Sequence, residues 1–391
     1  MDTLTDKKQN KKEVRLSAHR RSLTALLLCA AILLPVLSLI AKDRDYSEAE
    51  NRSLASRPAL TLETLRTGSF FSGYADYLSD QLWGRDGWIS LDTLGQRLIG
   101  KRDVNGVYLG RDRYLFAAPE TPDEARAAAK LSAVNDFQAR HEDLSFSLML
   151  VPDGATAMSD KLPRNAPVRD QTADIEAVRR GLSGGVRFLD ATRVLREHRQ
   201  EEIYYRTDHH WTSLGAWYVF NASADAFVGP GQSIPVFDVL TVTEDFEGTL
   251  ASRSGVHRAL DHIEVYLPQN GPDYYVNYPD TQTRVTSLFR AEALEEKDQY
   301  TVFFGGNHPL VEVWTTADCG RNLLVFKDSY ANSFIQFLTP FYDSIILLDP
   351  RYYYGDLSTV LSSYEFTDVL FLYSADTWMT DATLTDLLAT D

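Results

Sequence analysis

Leu323-Leu324-Val325-Phe326-Lys327-Asp328-Ser329-Tyr330 is an apolar run that ends abruptly in two charges and a serine. Ile345-Ile346-Leu347-Leu348 and Val369-Leu370-Phe371-Leu372 repeat the apolar part at intervals of about two dozen residues. Short strands with no polar face, separated by connections long enough for a helix, predict a parallel sheet covered on both sides. Phe146-Ser147-Leu148-Met149-Leu150-Val151, stopped by Pro152-Asp153-Gly154, and Val186 to Leu189 read as further strands.

Ser329 falls where such a strand ends, at the carboxyl edge of the sheet, where ligands of open α/β folds bind. The spacing of Tyr330, Ser333, Phe334, Phe337 and Leu338 after it predicts a buried helix face. A helix N-terminus there would favour developing negative charge. Two roles are open to Ser329 from this segment alone, a nucleophile or a plain helix cap.

Thr207-Asp208-His209-His210-Trp211-Thr212 carries the complementary chemistry. Leu214, Trp217, Phe220 or Asn221, Ala224 and Phe227 trace one helical face behind it, so the motif is expected in the loop and cap leading into a helix. A serine needs a base near neutral pH, and imidazole suits that role. The base needs a partner that fixes its tautomer, which a carboxylate two residues away supplies only in extended or turn backbone. Asp208, His210 and Ser329 are thus candidates for a nucleophilic centre. The competing readings are Asp208 as a helix cap with the histidines packed beside Trp211, or Asp208, His209 and His210 as metal ligands. Neighbouring ligands chelate one ion poorly without a third partner elsewhere, so no metal and no cofactor is expected.

Residues 42–118 read as a lead-in: Phe70, Phe71, Tyr74, Tyr77, Leu78 and Leu82 have helical spacing, and Val107–Gly110 with Tyr114–Phe116 form a hairpin across Arg111-Asp112-Arg113. Thr121-Pro122-Asp123-Glu124 predicts a helix start, with Thr121 as the cap, running to about Arg140. Residues 229–300, rich in glycine and proline with short β-like runs such as Ile263–Tyr266, are expected to be an irregular, β-rich insertion between two halves of the core.

The chain has 391 residues, 44% of them hydrophobic, and a net charge of −16. Residues 1–41 hold seven basic and three acidic side chains, which leaves 32 basic against 52 acidic, a net −20, in 42–391. Such a body repels polyanions, which argues against nucleic-acid binding. Ser22 to Ala41 is twenty residues without a charge, roughly 30 Å as a helix, enough for a bilayer core. It is longer than a signal-peptide core, and Leu39-Ile40-Ala41 is a poor cleavage site. The expected layout is a cytoplasmic basic tail (1–21), a single-pass cell-membrane anchor (22–41) and an extracytoplasmic domain (42–391). Cys29 lies in that anchor and Cys319 is alone beyond it, so no disulfide staples the ectodomain and no Cys-based zinc site is available.

The Thr207–Thr212 string resembles the signature of the DHHW protein family, which is similar to the alginate O-acetylation proteins with an SGNH-hydrolase-like domain. Glu50-Asn51-Arg52 through Pro58, Asp80–Arg85, Val107–Phe116, Val151-Pro152, Phe188–Asp190, Gly305–His308 and Val325–Tyr330 follow in the matching order. The resemblance implies a three-layer α/β/α core, Ser329 as nucleophile, His210 as base and Asp208 as its orienting acid. It gives His209 a variable position and implies no proton-transfer role for it. Two departures stand out: Lys327 replaces the glycine usual before the Asp-Ser pair, and no oxyanion-hole residue is fixed by spacing. Asn307 is a candidate there, with a turn role after Gly305-Gly306 as the alternative, and the Ser329 backbone N–H is another. The implied activity is O-acetylation of a cell-surface or exported polysaccharide, with an integral membrane acyltransferase as acyl donor. A carbohydrate esterase of the same fold, or a non-catalytic glycan-binding or envelope-assembly protein, are the alternatives.

Overall fold

The structure, a computed structural model, describes residues 20–25, 28–29, 31–38, 40–47 and 52–391 apart from 258. It divides into two compact units, Met1–Gly95 and Gln96–Asp391. In the first, the helix Leu62–Thr67 starts at a capping box formed by Thr61 and Thr64, and the aromatic spacing noted above lies on a helix spanning Ser69–Asp80. Among the described residues no helix is long and apolar enough to cross a membrane. The expected basic tail, apart from residues 20 and 21, and positions 26, 27, 30 and 39 of the expected anchor lie outside the described residues.

The second unit is built on one eight-stranded sheet. Its strands are β1 (Ser145–Val151), β2 (Val186–Leu189), β3 (Tyr274–Tyr278), β4 (Thr283–Val285), β5 (Leu310–Thr315), β6 (Asn322–Lys327), β7 (Ser344–Leu348) and β8 (Asp368–Ser374). Their order across the sheet is β4-β3-β5-β7-β6-β8-β1-β2. The five strands from β7 to β2 are parallel, as the apolar runs predict, with Leu324 of β6 level with Ile346 of β7 and Val369 of β8. The other three join antiparallel, so the sheet is mixed rather than parallel throughout.

That corrects the expected insertion. Within 229–300 the hairpin Phe237–Phe246 with Asp261–Pro268 stands outside the main sheet, whereas β3 and β4 belong to it. The edge of β7 would otherwise leave a row of backbone groups unpaired, and β5, β3 and β4 take them up in turn. Short strands at such an edge are half exposed and mixed in composition, so they carry no apolar signature.

Residues alternate along the parallel strands between two cores. Leu323 and Val325 of β6 face one side, with Leu370 and Leu372 of β8, Trp211, Phe220 and Phe334. Leu324 and Phe326 face the other, with Val369, Phe371, Val134, Phe137 and Trp378. The period-2 geometry of a strand explains why every side chain in the run is apolar: both faces are buried. The helix expected after Thr121 spans Glu124–Arg140, but its cap is Asp123, whose carboxylate accepts from Arg126 N at 3.1 Å. The hairpin across Arg111–Arg113 forms as expected, pairing Val107 with Ala117.

A second correction concerns the segment after Ser329. Between β6 and β7 there is no α-helix but three 3₁₀ turns, Ser329–Ala331, Ile335–Phe337 and Thr339–Phe341. The segment is buried on all sides rather than on one face, with Tyr330, Phe334, Ile335, Phe337 and Leu338 in one core. Polar side chains take backbone partners that a helix would use: Gln336 Nε2 donates to Ser333 O at 2.5 Å. The expected α-helix dipole behind Ser329 is therefore replaced by one short turn.

The core away from the histidine motif gives a direct stability test. Phe371 is fully buried, stacked on Phe326 at 4.9 Å and edge-on to Phe137 at 6.4 Å. Phe371→Ala should cost about 3–5 kcal/mol in urea unfolding of the full chain.

Candidate active site

The Asp208–His210 segment is a turn between the bridge residues Tyr204 and Trp211, held by Tyr205 N to His210 O at 3.2 Å. The helix that follows, Ser213–Ala222, is capped by Thr212, whose Oγ1 accepts from Gly215 N at 3.1 Å. Asp208 is thus free of the capping role. It caps nothing on its own helix and instead meets the start of another, Thr249–Ser254.

Asp208 is buried, and four donors converge on its carboxylate. Oδ1 accepts from His210 N at 3.0 Å and from His210 Nδ1 at 2.6 Å. Oδ2 accepts from Thr249 N and Thr249 Oγ1, both at 2.8 Å. Burial alone would raise this carboxyl's pKa, but the charges of the neighbouring imidazoles and these hydrogen bonds outweigh it and hold it well below the usual range. The loop carrying Thr249 approaches so closely that a Cβ on Gly248 would lie 2.3 Å from Asp208 Cβ. Thr207 anchors the same loop: its hydroxyl donates to Asp261 Oδ2 at 2.6 Å and accepts from Gly248 N at 2.9 Å.

His210 Nε2 lies 2.8 Å from Ser329 Oγ. An ionised Asp208 can only accept, so the proton of the neutral imidazole sits on Nδ1 and Nε2 is left to accept from the serine hydroxyl. Burial, with the charge of His209, lowers the His210 pKa to about 4 against the pull of Asp208, so the ring is neutral at pH 7. The three candidate side chains therefore form one hydrogen-bonded line from acid to base to hydroxyl.

Ser329 is half-buried at the tip of β6. Asp328 shapes its turn: Oδ1 accepts from Tyr330 N at 2.9 Å, and Oδ2 from Ser374 N at 2.8 Å, stitching β6 to the end of β8. The Ser329 N–H has no hydrogen-bond acceptor among the described residues. Lys327, where a glycine was expected, is buried, and among the described residues no hydrogen bond joins its side chain to the serine. Its Nζ donates to Asn332 Oδ1 at 2.8 Å and stands 3.6 Å from Asp349, which Arg351 also pairs at 2.7 Å. Asn307 is exposed; its Oδ1 accepts from Asn332 Nδ2 at 3.2 Å and from Lys327 Nζ at 3.4 Å. Among the described residues it makes no hydrogen bond to Ser329 or His210.

Asp208, His209 and His210 do place potential metal-ligand atoms within 4.8 Å of one another. Both oxygens of Asp208, both nitrogens of His210 and Nδ1 of His209 (to Thr249 Oγ1, 2.9 Å) are already hydrogen-bonded. A metal would have to displace the hydrogen bonds that build the line. Thr249, Tyr300 and Tyr330 were missed by sequence reasoning. Tyr330 Oη donates to His209 O at 2.5 Å, and the Tyr300 ring lies against His210. Thr249 and Tyr300 come from the stretch read as an irregular insertion, and its only local signal is Gly248-Thr249 ahead of a short helix.

The His210 shift has a thermodynamic consequence. An unfolded imidazole titrates near 6.5, above the folded value of about 4. Between those values the unfolded chain binds more protons, so stability rises with pH and falls on acidification by roughly 3 kcal/mol over the window. Urea midpoints should drop between pH 7 and pH 4.5, and His210→Gln should flatten that slope. Equal slopes in the two proteins would mean that His210 is not held neutral.

The family model described as SGNH hydrolase-like domain, acetyltransferase AlgX, matches residues 107–302. The match includes Asp208 and His210 and stops short of Ser329. Among curated protein sequences none matches the chain. Two solved structures share the fold. A DHHW family protein from Eubacterium siraeum is 23% identical with a TM-score of 0.63, covering 74% of this chain and 96% of its own. Bacillus cereus PatB1, solved with a sulfonyl adduct, is 19% identical with a TM-score of 0.61, covering 72% and 98%. With about half of its length matched to that family model, the chain belongs to the SGNH hydrolase-like family of the acetyltransferase AlgX.

Proposed function

We propose that this protein is a membrane-anchored, extracytoplasmic serine acyltransferase that O-acetylates a cell-surface or exported polysaccharide through an acyl-Ser329 intermediate. The observation that carries the reading is the unbroken line Asp208 Oδ1–His210–Ser329 Oγ, at 2.6 and 2.8 Å. Membership of an acetyltransferase family supports the acyl group being acetyl.

The chemistry follows from the geometry. Neutral His210 takes the Ser329 proton on Nε2 as Oγ attacks the acyl carbonyl. The imidazolium so formed lies against the ionised Asp208, which stabilises its charge. The Ser329 N–H, which has no acceptor among the described residues, is the donor offered to the developing oxyanion, and Asn307 is a second candidate. His210 then returns the proton to the leaving group. In the second half it deprotonates a sugar hydroxyl, whose oxygen attacks the acyl carbonyl; the sugar departs with the acyl group as His210 passes that proton back to Ser329 Oγ. Water in place of the sugar makes the same centre a carbohydrate esterase. No step calls for a metal or an organic cofactor.

The acyl donor in this scheme is presented at the membrane by an integral membrane acyltransferase. The basic residues before an uncharged stretch of bilayer length, Ser22 to Ala41, support the anchor and its orientation. The acidic ectodomain supports a neutral or well-screened glycan acceptor over a polyanion such as nucleic acid.

Incubation of the full-length protein with an activated acetyl ester should leave an acetyl group on the peptide containing Ser329, detected by mass. Turnover should fall by orders of magnitude in Ser329→Ala and in His210→Ala, with the double variant little worse than either, because the residues act as one unit. His209→Ala should do less harm. Binding of polysaccharide without turnover of any acyl ester would replace the enzyme by a glycan-binding protein. For the anchor, the native protein should fractionate with membranes and retain its N-terminal peptide; a soluble form beginning near Lys42 would refute it.

A further inference from the structure

The hydrogen bonds to His210 leave one motion unopposed. Partners at Nδ1 and Nε2 fix two points of the ring, and a ring held at two points can still tilt about the line between them. Tilting would turn the Nε2 lone pair out of the Ser329 direction without stretching the bond to Asp208 much. What opposes this tilt is Tyr300, whose ring lies 3.8 Å from His210, centroid to centroid, with the planes only 9° apart.

We infer that Tyr300 is a positioning residue for this centre: its flat face fixes the plane of His210 and keeps water off it, and its hydroxyl ties down the backbone of Ser329. The inference deepens the reading given under Proposed function and rests on it for the role of His210. The Tyr300 Oη donates to Ser329 O at 3.1 Å and lies 3.3 Å from Ser333 Oγ. One side chain therefore touches the base by its face and the nucleophile's backbone by its tip. Burial keeps this phenol protonated, so it remains a donor.

Tyr300 is itself held. It sits on the short turn Gln299–Val302, 4% exposed, edge-on to Tyr205 at 6.2 Å and beside Phe303 at 5.3 Å. Arg290 N to Val302 O at 2.8 Å and Thr243 Oγ1 to Gln299 Oε1 at 3.0 Å fix the turn's backbone and flank. A plate so mounted can constrain its neighbour.

The pH consequence follows from solvent exclusion. The titratable groups facing His210 are Asp208 and His209 on its own loop, Asp328 and Tyr330 at the end of β6, and Tyr300 itself. Asp208 favours the protonated ring, and His209 and burial disfavour it. Truncating Tyr300 removes burial while leaving both of those charges in place, so the His210 pKa should move up toward that of a free imidazole.

The test is the pH profile of kcat/KM for an activated acetyl ester, together with an NMR titration of 15N-histidine in the full-length protein. The His210 signal is assigned by its loss in His210→Gln. Tyr300→Ala should raise both the acidic limb and the NMR pKa by about one unit or more, and lower kcat about 10- to 100-fold at pH 8, where the ring is neutral in every variant. Tyr300→Phe keeps the plate and should leave the limb in place while kcat falls a few-fold from loss of the Ser329 tie. Should the alanine variant fail to fold, Tyr300→Leu keeps bulk without a flat face and should still lower kcat at pH 8 with KM unchanged. A folded alanine variant with an unmoved His210 pKa, or a folded leucine variant with wild-type kcat, overturns the inference. A wild type inert toward all esters defeats the functional reading instead, and the NMR titration still decides whether Tyr300 controls His210.

Discussion

A carboxylate held ionised where water does not reach is the constraint on which the rest of the site depends. An unpaired buried carboxylate would cost several kcal/mol. Asp208 avoids that with four donors, two from His210 and two from Thr249. Each charge-assisted bond contributes about 1.5–3 kcal/mol, so the set offsets a penalty of that order. The geometry follows from this requirement. The His210 ring must turn its Nδ1 inward, which leaves Nε2 facing Ser329, and the 248–249 loop must close on Asp208, which only a residue without a Cβ allows at Gly248. Asp261 then holds that loop's partner, Thr207, through both its backbone and its hydroxyl.

The lysine at 327 looks, in one dimension, like a misfit at the turn before the serine. In three dimensions it belongs to a different neighbourhood. The strand ends at Lys327, whose side chain enters a buried cluster with Asn332, Asp349 and Arg351, while Ser329 lies beyond the strand in the turn that carries it to His210. The turn obtains its shape from the Asp328 carboxylate, which takes the Tyr330 N–H and reaches across to Ser374. Burial lowers the Lys327 pKa, while Asp349 and Asp328 oppose that shift. Asn332 links the cluster back to the site, accepting from Lys327 through its side chain and donating its N–H to Ser329 O at 3.2 Å.

The mixed sheet explains how a segment with no obvious function in the sequence supplies much of the site. After the helix Ser213–Ala222 the chain builds the outer hairpin, returns as β3 and β4 at the sheet edge, and runs through Tyr300 before entering β5. On that route it passes Asp208 once, at Gly248-Thr249, and His210 once, at Tyr300. The glycines and prolines that make the stretch look irregular are what let a chain turn this often within some seventy residues.

The apolar runs of β1, β2, β6, β7 and β8 were legible because a strand buried on both faces can hold nothing else, so composition alone reports the environment. The histidine motif was legible as chemistry because an imidazole with a carboxylate two residues away can supply a base and its orienting partner; that Thr212 and not Asp208 caps the following helix was visible only in the structure. The edge strands β3 to β5 were not legible, since their pairing is set by which strand edge is left open and not by their own residues. Nor was the 3₁₀ path after Ser329: Tyr330, Ser333, Phe334, Phe337 and Leu338 have helical spacing, yet the residues between them are buried as well, so the spacing marked no single face. Thr249, Tyr300 and Tyr330 could be assigned only by the fold, because each acts through a contact between segments from 29 to 121 residues apart. Local sequence determines which groups can ionise, donate or accept. Which of them meet, and at what angle, is decided by the packing that brings distant backbone together and excludes water around them.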